Sequence, residues 1–258
     1  MPLIDKYDTY IFDMDGVIWR GSEIILDSVN TIKLLINRGF NTIFLTNNST
    51  RSREMYWRKL KRIGIKVPIE NIFTSSYCTA KYIYEKFGGG KAYIIGEIGL
   101  KRELMNFNIR IVEEGDVDFV IIGMDRKFNY KKLMMGMRKI LSGALFIATN
   151  MDKTFPSEDG LIPGAGSIVA AMEACVDRKP DIIIGKPSKI MFELALKDFN
   201  GKQVLVIGDR LDTDILGANN MGLDSALVLT GISKRNDIDK LNIKPRYILE
   251  KLSEIFEY

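Results

Sequence analysis

The chain has 258 residues, 46% of them hydrophobic and 27% charged, with a net charge of +4. That describes a globular protein long enough for two modest cores and excludes an intrinsically disordered one. It holds no histidine and two cysteines, which excludes Ser-His-Asp hydrolysis, phosphohistidine chemistry and His-ligated zinc or di-iron sites.

The run Met1-Pro2-Leu3-Ile4-Asp5-Lys6 has neither a basic n-region nor an apolar h-region, and apolar runs elsewhere are short. The expectation is a cytoplasmic protein that neither spans a membrane nor is secreted. Lysines and arginines are interleaved with acids, so nucleic acid is not an expected partner, while a mild positive field favours anionic substrates. A first strand runs out at Phe12, where Asp13 and Asp15 follow two residues apart. Residues i and i+2 of an extended backbone face the same side, so both carboxylates can address one centre. Gly16 permits a sharp turn that brings backbone N–H groups toward an anion. Val29, Ile32, Leu35 and Ile36 recur at helical spacing, and Gly39 supplies a left-handed stop. Asn41 to Leu45 reads as the next strand, leading into Thr46-Asn47-Asn48-Ser49. A helix from Ser52 to Ile63 ends at Gly64, and Ile72-Phe73-Thr74 is a third strand. This alternation implies right-handed crossovers and a parallel sheet, a Rossmann-like α/β core.

After Tyr77 the pattern restarts, with strands at Tyr93-Ile94-Ile95, Phe119-Val120-Ile121-Ile122 and Leu145-Phe146-Ile147-Ala148 and a helix from Tyr130 to Leu141. Gly88-Gly89-Gly90 reads as a flexible turn, since no Lys-Ser/Thr follows to make it a phosphate cradle. The first domain is expected to resume at Asp181 with a buried strand, Ile182-Ile183-Ile184. It runs into Gly185-Lys186-Pro187-Ser188 and a helix capped by Ser188, with Ile190, Met191, Leu194 and Ala195 on its core side. Val204-Leu205-Val206-Ile207 leads into Gly208-Asp209-Arg210-Leu211-Asp212-Thr213-Asp214. Tyr247 to Leu252 is a closing helix or a strand-to-helix element. The sequence thus divides into a discontinuous domain, residues 1–77 and 181–258, and an inserted α/β domain, residues 78–180.

Four polar segments therefore sit at the ends of apolar runs, where ligands of open α/β sheets bind. In order, they match the signature motifs of the haloacid dehalogenase (HAD) superfamily of phosphatases. The Leu45-Thr46-Asn47-Asn48-Ser49 and Gly208 to Asp214 segments, with Pro163-Gly164-Ala165-Gly166-Ser167, resemble the NagD-like, p-nitrophenyl phosphatase branch. That branch carries a large α/β cap of the C2 type, and the resemblance covers nearly the whole chain.

The resemblance implies a magnesium-dependent hydrolase of phosphate monoesters of small metabolites, with p-nitrophenyl phosphate as an artificial substrate. Asp13 is the expected nucleophile, forming an aspartyl-phosphate, and Asp15 the general acid and base. Magnesium is expected on Asp13, the backbone carbonyl of Asp15 and Asp209, with Asp214 steadying them from behind. Lys186, Thr46, Asn47, Asn48, Gly16 and the backbone of Met14 are expected to hold the phosphate. The segment Gly123 to Tyr130 matches a cap loop that reads the leaving group, with Lys127 where several relatives carry His. A nucleotide 5′-monophosphatase of NagD type is the alternative enzyme. A non-catalytic phospho-binding or receiver-like module is the alternative of another class, and Asp15 speaks against it because receivers lack an acid there. The expected partner is a small phosphorylated metabolite, with a homodimer through the cap as the expected self-association. Neither Cys78 nor Cys175 has the Arg six positions on that a cysteine phosphatase loop needs. Both read as small buried hydrophobes, with pairing between them left open.

Overall fold

The structure is a computed structural model and describes residues 3–157, 159–197, 199 and 201–257. Met1 and Pro2, part of the run read for a leader, lie outside the described residues. The chain divides into two compact units, one of residues 1–46, 57–73 and 186–258, the other of residues 47–56 and 74–185.

The first unit is built on a sheet of six strands, in the order Tyr247–Leu249, Asp224–Val228, Val204–Gly208, Thr9–Phe12, Asn41–Thr46 and Ile72–Thr74. Thr9–Phe12 lies parallel to both its neighbours, with Ile11 opposite Val206 on one side and Ile43 on the other. Tyr10, Ile11 and Phe12 are all buried, which is why this strand reads as a continuous apolar run rather than an alternating one. Phe12 stacks on Tyr10 at 6.2 Å and on Phe44 at 5.9 Å between ring centroids. Each ring buried this way stabilises the sheet by about 1.5–3 kcal/mol. Because these central strands are parallel and in register, their carboxyl ends share one rim, and Asp13, Thr46 and Asp209 follow or end them. The helix Leu26–Asn37 covers the sheet through Val29, Ile32 and Leu35, and Gly39 after it has φ +83°. The chain closes with the strand Tyr247–Leu249 and a 3₁₀ turn, Leu252–Phe256, the strand-to-helix alternative.

The second unit has its own parallel sheet, in the order Ile182–Ile183, Leu145–Ala148, Phe119–Ile122, Gly90–Ile95 and Ile109–Ile111. Tyr93, Val120, Phe146, Val169 and Met172 fill its core. The strand Ile182–Ile183, read as reopening the first domain, pairs instead with Leu145–Ala148, Ile182 opposite Ile147. Asp181 fastens it, its N–H donating to the Phe146 carbonyl at 2.8 Å and its carboxylate accepting from the Phe146 N–H at 2.7 Å. Ile182 and Ile183 are half-buried at this sheet edge, and Ile184 alone of the three is fully buried. An apolar run announces a strand but not its neighbour. Gly90 likewise joins a strand, while Gly88, at φ +76°, ends the helix Ser75–Phe87. The helix Ile98–Met105 and the hairpin Thr154–Ser157 with Gly160–Pro163 had no clear sequence signal. Both cysteines are free thiols. Cys78 is buried as expected, but Cys175 is exposed on the helix Ala165–Val176. No described helix is long and apolar enough to cross a membrane.

Candidate active site

The carboxyl-end rim of the first unit's sheet gathers four acids and one lysine. Asp13 extends the first strand, its N–H donating to the Ile207 carbonyl at 2.8 Å. The Lys186 ammonium donates to Asp13 Oδ1 at 2.5 Å, to Asp214 Oδ1 at 2.6 Å and to the Leu45 carbonyl at 3.1 Å. All three side chains are nearly withdrawn from solvent. Asp214 sits on a π-helical turn, Leu211–Ile215, and its Oδ2 accepts from the Arg210 N–H at 3.1 Å. Such widened turns recur at functional sites because they re-aim a side chain without breaking the backbone ladder.

Asp209, at the end of Val204–Gly208, accepts from the Ile232 N–H at 2.8 Å through Oδ2. Its Oδ1 is buried and has no hydrogen-bond partner among the described residues. A Cβ at Gly16 or at Gly231 would overlap this carboxylate. Gly16, at φ +89°, is doubly constrained. Its N–H, expected to face an anion, donates instead to the Trp19 carbonyl at 2.7 Å. What glycine provides here is room for Asp209. Met14 is buried, and its carbonyl accepts from the Ile18 N–H at 2.8 Å, closing the same tight loop.

Burial pushes the Asp13 carboxyl well above the usual carboxylate range, against the attraction of Lys186 and with repulsion from Asp214, Asp209 and Asp15. Burial, then the charge of Asp214, raises Asp209 to about 7. Burial would lower Lys186, but Asp13 and Asp214 outweigh it and hold its pKa above the ordinary value. These directions describe a cluster with more negative charge than Lys186 balances, which is the condition that recruits a cation. Carboxylate oxygens of Asp13, Asp209 and Asp214 lie within 4.8 Å of one another. With Lys186 and the Arg210 N–H on Asp214, and Asp209 Oδ1 unanswered, Asp13 and Asp209 offer the better ligand atoms. The residues fit a hard, oxygen-seeking divalent ion.

Asp15 turns its carboxylate elsewhere: Trp19 Nε1–H donates to Oδ1 at 2.9 Å, and the Thr46 hydroxyl stands 3.5 Å from Oδ2. Trp19, Gly231 and the Ile232 N–H were absent from the sequence reading. Trp19 follows Val17 and Ile18 with nothing in that run to single it out, and Gly231 and Ile232 follow a strand with no acid or base to mark them.

Asn47, Asn48 and Lys127 belong to the second unit. The Asn47 amide donates to Asp152 Oδ1 at 3.0 Å. Asn48 Oδ1 accepts from the Thr50 N–H at 2.9 Å and its hydroxyl at 2.7 Å, a local turn. Lys127 is exposed; its N–H donates to the buried Asp125, whose other oxygen meets Lys132 Nζ at 2.5 Å.

Sequence comparison agrees with the geometry. A family model described as Haloacid dehalogenase-like hydrolase matches residues 10–110, and a HAD-hydrolase-like model matches residues 183–255. An acid sugar phosphatase of Staphylococcus saprophyticus is 32% identical over 98% of this chain and 98% of its own. A p-nitrophenyl phosphatase from Archaeoglobus fulgidus superposes with a TM-score of 0.93 at 34% identity, covering 98% of this chain and 99% of its own. A glycerol phosphate phosphatase from Mycobacterium tuberculosis, solved with magnesium, gives a TM-score of 0.90 at 30% identity over 100% of this chain and 78% of its own. The same enzyme has been solved with calcium. The chain belongs to the haloacid dehalogenase-like hydrolases. Within them it is a phosphatase of the NagD-like, p-nitrophenyl phosphatase branch.

Proposed function

We propose that this protein hydrolyses phosphate monoesters of small metabolites, sugar and polyol phosphates ahead of nucleotides, through an aspartyl-phosphate on Asp13 and with magnesium bound. The observation that carries the reading is the Lys186 ammonium shared by Asp13 and Asp214 beside the unpartnered Asp209 Oδ1. The substrate class is supported by relatives that are an acid sugar phosphatase and a glycerol phosphate phosphatase. Free thiols at Cys78 and Cys175 fit a cytoplasmic setting. The second unit, in this reading, selects the substrate.

Magnesium, held by Asp13, Asp209 and the Asp15 backbone carbonyl with Asp214 behind, would offset the negative charge of the phosphate. The remaining work belongs to side chains of the chain. Lys186 orients Asp13 through Oδ1, leaving Oδ2 to attack phosphorus. Asp15 gives a proton to the leaving oxygen as the ester bond breaks. It then takes one from the water that attacks the aspartyl-phosphate, so that Asp13 is freed as a carboxylate and Asp15 returns to its protonated form. The Thr46 hydroxyl supplies a neutral donor beside them.

A screen of phosphorylated metabolites for released phosphate, with magnesium and with excess chelator, tests this reading. Sugar and polyol phosphates should lead, with activity lost in chelator. Preference for nucleoside monophosphates would instead support the 5′-monophosphatase alternative, and no phosphate release from any ester would leave only the binding-module alternative.

A further inference from the structure

The contact of Trp19 with Asp15 has no place in the chemistry derived so far. Trp19 is fully buried, and its Nε1–H donates to Asp15 Oδ1 at 2.9 Å. Both the backbone and the ring of Trp19 are held. The Trp19 carbonyl accepts from the Gly16 N–H at 2.7 Å, and its N–H reaches the Met14 carbonyl at 3.4 Å. The Lys59 ammonium lies 3.5 Å from its ring centroid, a cation–π contact that fixes the ring plane. A buried indole N–H needs an acceptor, and here that acceptor is one oxygen of the proposed general acid.

We infer that Trp19 is a positioning residue for Asp15, selecting which of its two oxygens handles the proton. The inference rests on the reading of Asp15 as general acid and base. An indole N–H donates and cannot accept. A proton on Oδ1 would therefore point away from its partner, whereas a proton on Oδ2 leaves the Trp19 bond intact and faces the Thr46 hydroxyl, 3.5 Å away, which can accept as well as donate. Oδ2 is thereby the oxygen that gives a proton to the leaving group when the P–O ester bond breaks, and that later takes one from the attacking water. The same bond restrains rotation of the carboxyl, and small errors in placing an acid cost rate directly. The isolated ladder contact between Asp15 and Trp19 sets the loop at the length that lets the ring reach back.

The test compares Trp19→Phe, and Trp19→3-benzothienylalanine introduced at that codon, with wild type and Asp15→Asn. The benzothiophene keeps the ring's shape and removes the N–H, so it reports the bond even where phenylalanine disturbs the fold. Each variant is assayed with magnesium on an alkyl ester, glycerol 1-phosphate, and on 4-nitrophenyl phosphate, whose leaving group needs little proton help. Loss of a hydrogen bond to a chargeable partner predicts about a tenfold drop in kcat on the alkyl ester. The drop on the nitrophenyl ester should be roughly twofold, with KM little changed on either. A purely structural role lowers both rates alike, and that outcome overturns the inference. Unchanged rates in the benzothiophene variant, beside an Asp15→Asn variant that discriminates the two esters, overturn it while leaving Asp15's role standing. An Asp15→Asn variant that loses equally on both esters removes the underlying reading and the inference with it.

Discussion

Lys186 Nζ and Asp13 Oδ1 meet at 2.5 Å in a setting almost closed to solvent, with side-chain exposures of 3% and 11%. The same ammonium holds Asp214 at 2.6 Å. A lysine so placed is a structural counter-ion and, in the proposed mechanism, engages one Asp13 oxygen and leaves the other to the substrate. Removing it should be felt in stability and in rate. Lys186→Met is expected to lower unfolding free energy by about 3–5 kcal/mol, the usual cost of stranding a buried charge. Urea unfolding without added metal measures it, and an unchanged midpoint contradicts the bridging role. Turnover should fall with it, and protonation of the stranded acids should soften the stability loss at lower pH.

The unanswered Asp209 Oδ1 predicts that a divalent cation stabilises the folded protein. At a free magnesium concentration one hundred times its dissociation constant the gain is about 2.7 kcal/mol. Thermal melts with and without magnesium measure this, and Asp209→Asn should shrink the shift. An equal shift in that variant would place the ion elsewhere.

Gly231 has no side chain because the Asp209 carboxylate occupies the space a Cβ would need. Gly231→Ala is expected to cost about 1–3 kcal/mol and to weaken magnesium binding, since Asp209 has to move. A variant with wild-type magnesium titration and wild-type melting would show that the loop yields freely.

Glu103 gives a pH prediction independent of the site. It is buried and accepts a hydrogen bond from the Arg53 N–H at 2.5 Å, and burial raises its carboxyl pKa despite that bond and the Arg53 charge. Between the unfolded value and the raised folded one, the folded state therefore holds a proton that the unfolded chain has released. This group's contribution is most favourable below the unfolded carboxyl pKa of 4.5. It declines as pH rises toward the folded value. Glu103→Gln should raise the melting temperature near pH 7 and change it little near pH 4. A variant that is less stable at pH 7 than at pH 4, relative to wild type, reverses the sign and refutes the assignment.

Much of the site was legible because parallel strands write themselves as apolar runs, and their carboxyl ends are where ligands gather. Asp13, Asp15, Thr46, Lys186, Asp209 and Asp214 each stand at or just beyond such an end, and their chemistry is visible in their type. Partnership between elements was not legible. Ile182–Ile183 has the composition of an interior strand and lies at the edge of the second unit's sheet, because pairing is decided by Phe146 and Asp181 across a gap in sequence. Gly16 was marked as a turn former, but its second function, clearing space for Asp209, depends on a residue far along the chain. Trp19 was invisible for a related reason: an indole in a tight loop shows its bulk in the sequence, while its one polar atom finds a partner only once the loop is closed.

Asp13 as the attacking group is the central claim, and turnover by Asp13→Asn tests it most directly. The amide matches the carboxylate in shape and still offers Lys186 an oxygen, but it is a poor nucleophile. With circular dichroism and melting matched to wild type, the variant is predicted to release phosphate from sugar phosphates and from 4-nitrophenyl phosphate at less than about one-thousandth of the wild-type rate. Near-normal turnover by a correctly folded Asp13→Asn protein would contradict the covalent mechanism.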